Sequence, residues 1–167
     1  MDSVSIKQMV HANICVRDLD RTIPFYEMLG FEVFSDMRFV EGSRTWPGLG
    51  LPEGREFRAV FMKIPGENPV PFLDIIEFRD PQPAGEPYAT LHNIGICRLC
   101  FEVADIDATA AVLKANGVEL VSEPAHYETA LNEPADGVEA RFLCFKDPDG
   151  TFLEYAQFAG QATDVLG

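Results

Sequence analysis

Two stretches far apart in the chain alternate apolar and polar residues with a period of two. Ala12, Ile14 and Val16 alternate with His11, Asn13 and Cys15, and Leu99, Phe101 and Val103 alternate with Arg98, Cys100 and Glu102, the pattern of strands with one face packed on a core. Each stretch runs into Asp-apolar-Asp, Asp18-Leu19-Asp20 or Asp105-Ile106-Asp107, whose first aspartate suits a helix start. Helices are predicted over 19–29 and 106–116, closed by Gly30 and Gly117 in left-handed caps. Pro24 is tolerated if the first helix begins late. Further strands are predicted at 31–36, 57–64 and 70–78, and again at 118–122, 139–146 and 151–158, with Asp147-Pro148-Asp149-Gly150 as a turn before the last.

The two halves are a repeat. A shift of 87 residues lays 11–36 on 98–123 with seven identities in 26 positions, among them Val16/Val103, Asp18/Asp105, Asp20/Asp107 and Gly30/Gly117. Composition alone would give roughly one or two. The last strands align at a shift of 80, pairing Asp74 with Glu154, or at a shift of 77, pairing Glu77 with Glu154. Residues 1–80 and 92–160 are therefore expected to be two βαβββ modules of an α+β fold, with 81–91 as linker and 161–167 as tail. Two insertions, 38–56 with Trp46 and 124–137 with His126, are long enough to act as lids.

Composition narrows the partners. The 167 residues are 47% hydrophobic and 24% charged, as in a folded protein, but the net charge is −14. That field repels polyphosphates and anionic lipid, so nucleic acid and membrane surfaces are not expected partners. Neither a long apolar run nor a basic-then-apolar leader is read, so the expected location is cytoplasmic. Cys15, Cys97, Cys100 and Cys144 lie in strand-like stretches, which argues against a disulfide framework.

Strand parity puts His11, Asn13 and Cys15 on the face opposite the helix-packed one, and places Arg98, Cys100 and Glu102 equivalently in the second module. Glu154 shares a side with Phe152 and Ala156; its counterpart is Asp74 or Glu77, which lie three residues apart and cannot both face inward. An inward carboxylate on an apolar strand needs a cation.

The double βαβββ plan carries His11 with Val16, Asp18-Leu19-Asp20, Phe25-Tyr26-Glu27-Met28-Leu29-Gly30 and Asp147-Pro148-Asp149-Gly150 with Leu153-Glu154. With these residues it resembles the vicinal oxygen chelate superfamily, which includes glyoxalase I, methylmalonyl-CoA epimerase, extradiol dioxygenases, fosfomycin-resistance enzymes and bleomycin-binding proteins. The resemblance implies modules curled into a cup with helices outside. It also implies one divalent metal (Mn, Fe, Ni, Zn or Mg) on His11, Glu77 and Glu154, with Asp74 replacing Glu77 in the other register. Ile76-Glu77-Phe78 matches the family's apolar-Glu-apolar step, which favours Glu77. The fourth ligand position holds Arg98, which donates only. Arg98 has three readings: an ion pair with an inward carboxylate in place of the metal, an anchor for an anionic substrate group, or a side chain turned away from a three-ligand metal.

The function expected from this set is lyase or isomerase chemistry on a small enolisable molecule. Glu154, Arg98 and His11 would be catalytic, and Asn13, Trp46, Cys100 and Phe152 would line the substrate site. A non-catalytic binding or resistance protein is the rival. An extradiol dioxygenase ranks third, because Arg98 stands where a second histidine would be. His92 and His126 are expected as linker and surface residues, and a homodimer as the assembly.

Overall fold

The computed structural model describes residues 5–66, 68–130, 133–134 and 138–160. The predicted tail, 161–167, and part of the second insertion lie outside the described residues. The chain divides into two compact units, Met1–Gly85 and Glu86–Gly167.

The first unit runs β1 (His11–Cys15), α1 (Leu19–Met28), β2 (Glu32–Val40), α2 (Thr45–Gly48), β3 (Glu56–Lys63) and β4 (Phe72–Asp80). Its mixed sheet has the order β1-β4-β3-β2, with β1 parallel to β4 and the other pairs antiparallel. The Asp18 side chain accepts from the Arg21 N–H at 3.1 Å and caps α1, as the sequence suggested. The helix starts at Leu19 rather than late, so Pro24 lies inside it and removes one internal donor. Leu19, Thr22 and Tyr26 form its buried face. Gly30 closes the turn after α1 at φ +99°, the region where a side chain would be strained.

The second unit runs β5 (Leu99–Glu102), α3 (Ile106–Ala115), β6 (Ala125–His126), β7 (Glu128–Ala130), β8 (Glu133–Pro134), β9 (Ala140–Lys146) and β10 (Phe152–Phe158). Its main sheet has the order β5-β10-β9-β6, and β7 pairs with β8. α3 repeats α1: Asp105 caps it, accepting from the Asp107 and Ala108 N–H groups, and Ile106, Ala110 and Leu113 are buried. The strand predicted at 118–122 does not form; only an isolated bridge joins Leu120 to Phe145. β6, from the second insertion, takes the place beside β9.

Repeated cross-links show how closely the halves agree. Ile76 O accepts from the Val16 N–H at 2.8 Å, and Ala156 O accepts from the Val103 N–H at 2.8 Å. Glu77 Oε2 accepts from the N–H of Leu19 at 3.1 Å, and Gln157 Oε1 from that of Ile106 at 2.9 Å. Each last strand thus reaches across to hold the start of its unit's helix, where backbone N–H groups lack partners within the helix. Both units are α+β with a mixed four-stranded sheet, as the repeat implied.

Candidate functional site

In the first unit β1 and β4 pair His11 with Phe72, Asn13 with Asp74 and Cys15 with Ile76. The face of His11 and Asn13 therefore carries Asp74 and not Glu77. This corrects the preference for Glu77. Both Glu77 oxygens are engaged on other work, Oε2 with the α1 start and Oε1 with Arg79 Nε at 2.9 Å. In the second unit Glu154 pairs with Cys100, the repeat partner of Asn13, so the shift of 80 is the structural one and Asp74 and Glu154 are counterparts.

These two carboxylates have different surroundings. Asp74 is 8% exposed; Asn13 Nδ2 donates to its Oδ2 at 2.8 Å, while Oδ1 is buried without a hydrogen-bond partner among the described residues. Burial pushes the Asp74 carboxyl above its ordinary value, opposed by the Asn13 hydrogen bond and the charge of His11. The neighbouring side chains are aromatic. Phe61 stands opposite Asp74 on β3; Phe61 and Phe72 lie 4.7 Å apart between ring centroids, Phe34 and Phe72 5.3 Å, and His11 and Phe72 5.3 Å.

The raised value gives a testable pH dependence. Asp74 binds its proton more tightly folded than unfolded, so its stabilising contribution is full below the unfolded value and is lost as pH rises through the folded one. Asp74→Asn removes that loss. The drop in urea midpoint between ~pH 4 and ~pH 7 is expected to shrink in the variant. An unchanged drop would show that Asp74 is not desolvated in solution.

Glu154, also 8% exposed, is surrounded by donors. Arg98 Nε donates to Oε2 in a close ion pair, and the Cys144 thiol donates to the same oxygen at 3.5 Å. Burial pulls Arg98 down, but the charge of Glu154 and its hydrogen bond together outweigh it and hold the guanidinium above its ordinary value. Lost hydration first, and the Glu154 carboxylate second, push the Cys100 and Cys144 thiols up to about 12. They are neutral at physiological pH and poor nucleophiles. Phe152, on the same face by parity, is 5% exposed and lies under Lys146 Nζ, 4.5 Å from its ring centroid.

Trp46, expected against a substrate, is a core residue instead. It is 1% exposed, its indole N–H donates to Val40 O at 3.0 Å, and its ring meets Phe57 edge-on at 4.9 Å. Phe57, Ala59 and Ile76 complete that cluster. His92 and His126 are exposed, the latter on β6 rather than in a loop. The aromatic wall of Phe34, Phe61 and Phe72 went unanticipated. Parity aligns Phe61 and Phe72 with Asp74, but Phe34 joins them only through a bulge in β2 between Val33 and Ser35.

The donor set does not fit the metal that the resemblance implies. With Glu77 capping a helix, the implied set becomes His11, Asp74 and Glu154; of these Glu154 is neutralised by Arg98, and a second positive centre beside that guanidinium would be repelled. Among the described residues no group of three or more His, Cys, Asp or Glu is arranged to hold an ion. No helix among them is long and apolar enough to cross a membrane.

Solved structures with the same fold include three instructive ones. A glyoxalase family protein from Bacillus cereus is 24% identical, with a TM-score of 0.78 over 96% of this chain and 99% of that one. An antibiotic binding protein from a Streptomyces species is 21% identical, with a TM-score of 0.58 over 94% of this chain and 100% of that one. A fosfomycin resistance protein from Listeria monocytogenes, solved with Mn(II) and sulfate, is 20% identical, with a TM-score of 0.57 over 98% of this chain and 100% of that one. At such identities the likeness establishes the fold alone. No curated protein matches the chain. The model of the Glyoxalase/Bleomycin resistance protein/Dioxygenase superfamily, however, matches residues 8–155, nearly the whole double repeat, and the chain belongs to that superfamily.

Proposed function

We propose that the chain acts on a small organic molecule with a carbonyl or similarly enolisable group, moving a proton beside that group without a resident metal. The observation that carries this reading is the contact of Arg98 with Glu154 on one sheet face, a carboxylate able to take a proton and a guanidinium able to stabilise negative charge. Glu154 removes the proton alpha to the carbonyl, the C–H electron pair forms the carbon–carbon double bond of the enolate, and the carbonyl π pair moves onto oxygen. Arg98, a fixed fork of donors, stabilises the enolate so formed. Return of the proton to the same or a neighbouring carbon gives isomerisation, and loss of a beta substituent gives lyase chemistry. The neutral Cys100 and Cys144 thiols do not compete as nucleophiles.

The partly exposed aromatic wall beside Asp74 favours a second reading, a protein that binds a small molecule without transforming it. Deuterium exchange into a panel of ketones and thioesters, followed by NMR, separates the two. Exchange that disappears in Glu154→Gln supports proton transfer; tight binding with no exchange across the panel favours sequestration. Stoichiometric metal in protein purified without chelator would overturn the metal-free assignment.

A further inference from the structure

We propose that the sheet face around Asp74 in the first unit binds an organic cation with a flat apolar body, such as an arylammonium or amidinium group. The cationic head donates to Asp74 Oδ1, and the body lies against Phe34, Phe61 and Phe72. The inference deepens the reading of this chain as a protein for small molecules, and rests on it.

Four observations lead there. Asp74 is more than nine-tenths buried, and one of its oxygens has no donor among the described residues. A buried carboxylate oxygen left unpaired beside phenyl rings is costly until a donor arrives, and a cation offsets more of that cost than a neutral group does. The rings are placed to receive the same ligand. Phe61 faces Asp74 across the β3–β4 ladder, Phe72 precedes it by two positions on the same face, and Phe34 meets Phe72 edge-on at 88°. Phe34 itself is 41% exposed, so the wall remains open to a ligand, and aromatic faces attract cations.

The cations described near this point, Lys63 and His11, are engaged. Lys63, two positions beyond Phe61 on β3, lies 3.1 Å from Glu32 Oε1 and donates to the Gly66 carbonyl at 3.0 Å. His11 influences the Asp74 charge, but its ring is set against Phe72, and among the described residues Oδ1 stays without a donor. In the second unit the counterpart carboxylate, Glu154, already holds Arg98. The repeat thus presents one filled and one open version of the same position, and the filled one shows which chemistry satisfies it.

The test is calorimetric titration of the full chain with benzamidinium and with its neutral analogue benzamide. The wild type is expected to bind the cation at least about tenfold more tightly. Asp74→Asn should lose that preference while keeping its circular dichroism spectrum, and Phe34→Ala should weaken both probes. Equal affinities in the wild type, an undiminished preference in Asp74→Asn, or no binding of either probe at millimolar concentration would each overturn the proposal. Its failure alongside intact deuterium exchange leaves the proton-transfer reading standing. Cation binding without exchange retires that reading and keeps the site.

Discussion

Trp46→Ala is expected to destabilise the first unit by about 3–5 kcal/mol, the range for deleting a large aromatic side chain from a packed core. The ring is 1% exposed and contacts Phe57 and Phe78, and the variant also leaves Val40 O without the indole donor. Collapse into the space is restricted, because Phe39 and Phe57 are stacked at 4.2 Å. A second substitution checks the mechanism. A Cβ on Gly54 would overlap the Trp46 ring, so Gly54→Ala should cost about 1–3 kcal/mol by overpacking. In the Trp46→Ala background the same change should cost little, since the obstacle is gone. Urea unfolding of the four proteins gives the coupling directly. A Trp46→Ala loss below about 1 kcal/mol would mean that the ring covers something other than this core.

The largest expected effect on activity is at Glu154. Glu154→Gln should lower substrate deuterium exchange by about 10²–10⁴-fold, the contribution of a positioned general base. It should disturb the fold little, because the amide keeps the shape and can still accept from Arg98 and Cys144. Arg98→Met should show the opposite emphasis. It leaves a carboxylate whose side chain is only 10% exposed without its cation, while the guanidinium it removes is 35% exposed. The loss should therefore be about 1–3 kcal/mol, less than for a fully buried pair. Adding Glu154→Gln to Arg98→Met should restore part of that stability. Exchange at the wild-type rate in Glu154→Gln would remove Glu154 from the mechanism.

Local chemistry made much of the architecture legible. Asp18 and Asp105 each announce a helix start, and Gly30 and Gly117 each announce its end, because capping is decided within a few residues. The choice between Asp74 and Glu77 was harder, since both fit the repeat at shifts of 80 and 77. Pairing of Asn13 with Asp74 decides it, and that register arises between strands about sixty positions apart, beyond any local pattern. Trp46 sits in a stretch without periodicity, where burial depends on Gly54 leaving room for the ring. Leu120 illustrates the converse: its neighbours alternate like a strand, yet Ala125 and His126 take the edge beside β9. Arg98 pairs with Glu154, one of the three arrangements its place in the repeat allowed, because a guanidinium beside an inward carboxylate meets the strongest acceptor in reach.

The side-chain links from β4 to α1 and from β10 to α3 bear on how the chain acquires its structure. Glu77 and Leu19 are 58 residues apart, and Gln157 and Ile106 are 51 apart. Each helix can form its aspartate cap early, but its first backbone donor finds its partner only when the final strand of the unit arrives. Late loop closure of this kind slows folding and couples the ends of each unit. During synthesis, α1 would emerge long before Glu77, so the first unit is expected to stay open to proteolysis until its fourth main strand has left the ribosome and then to lock in one step.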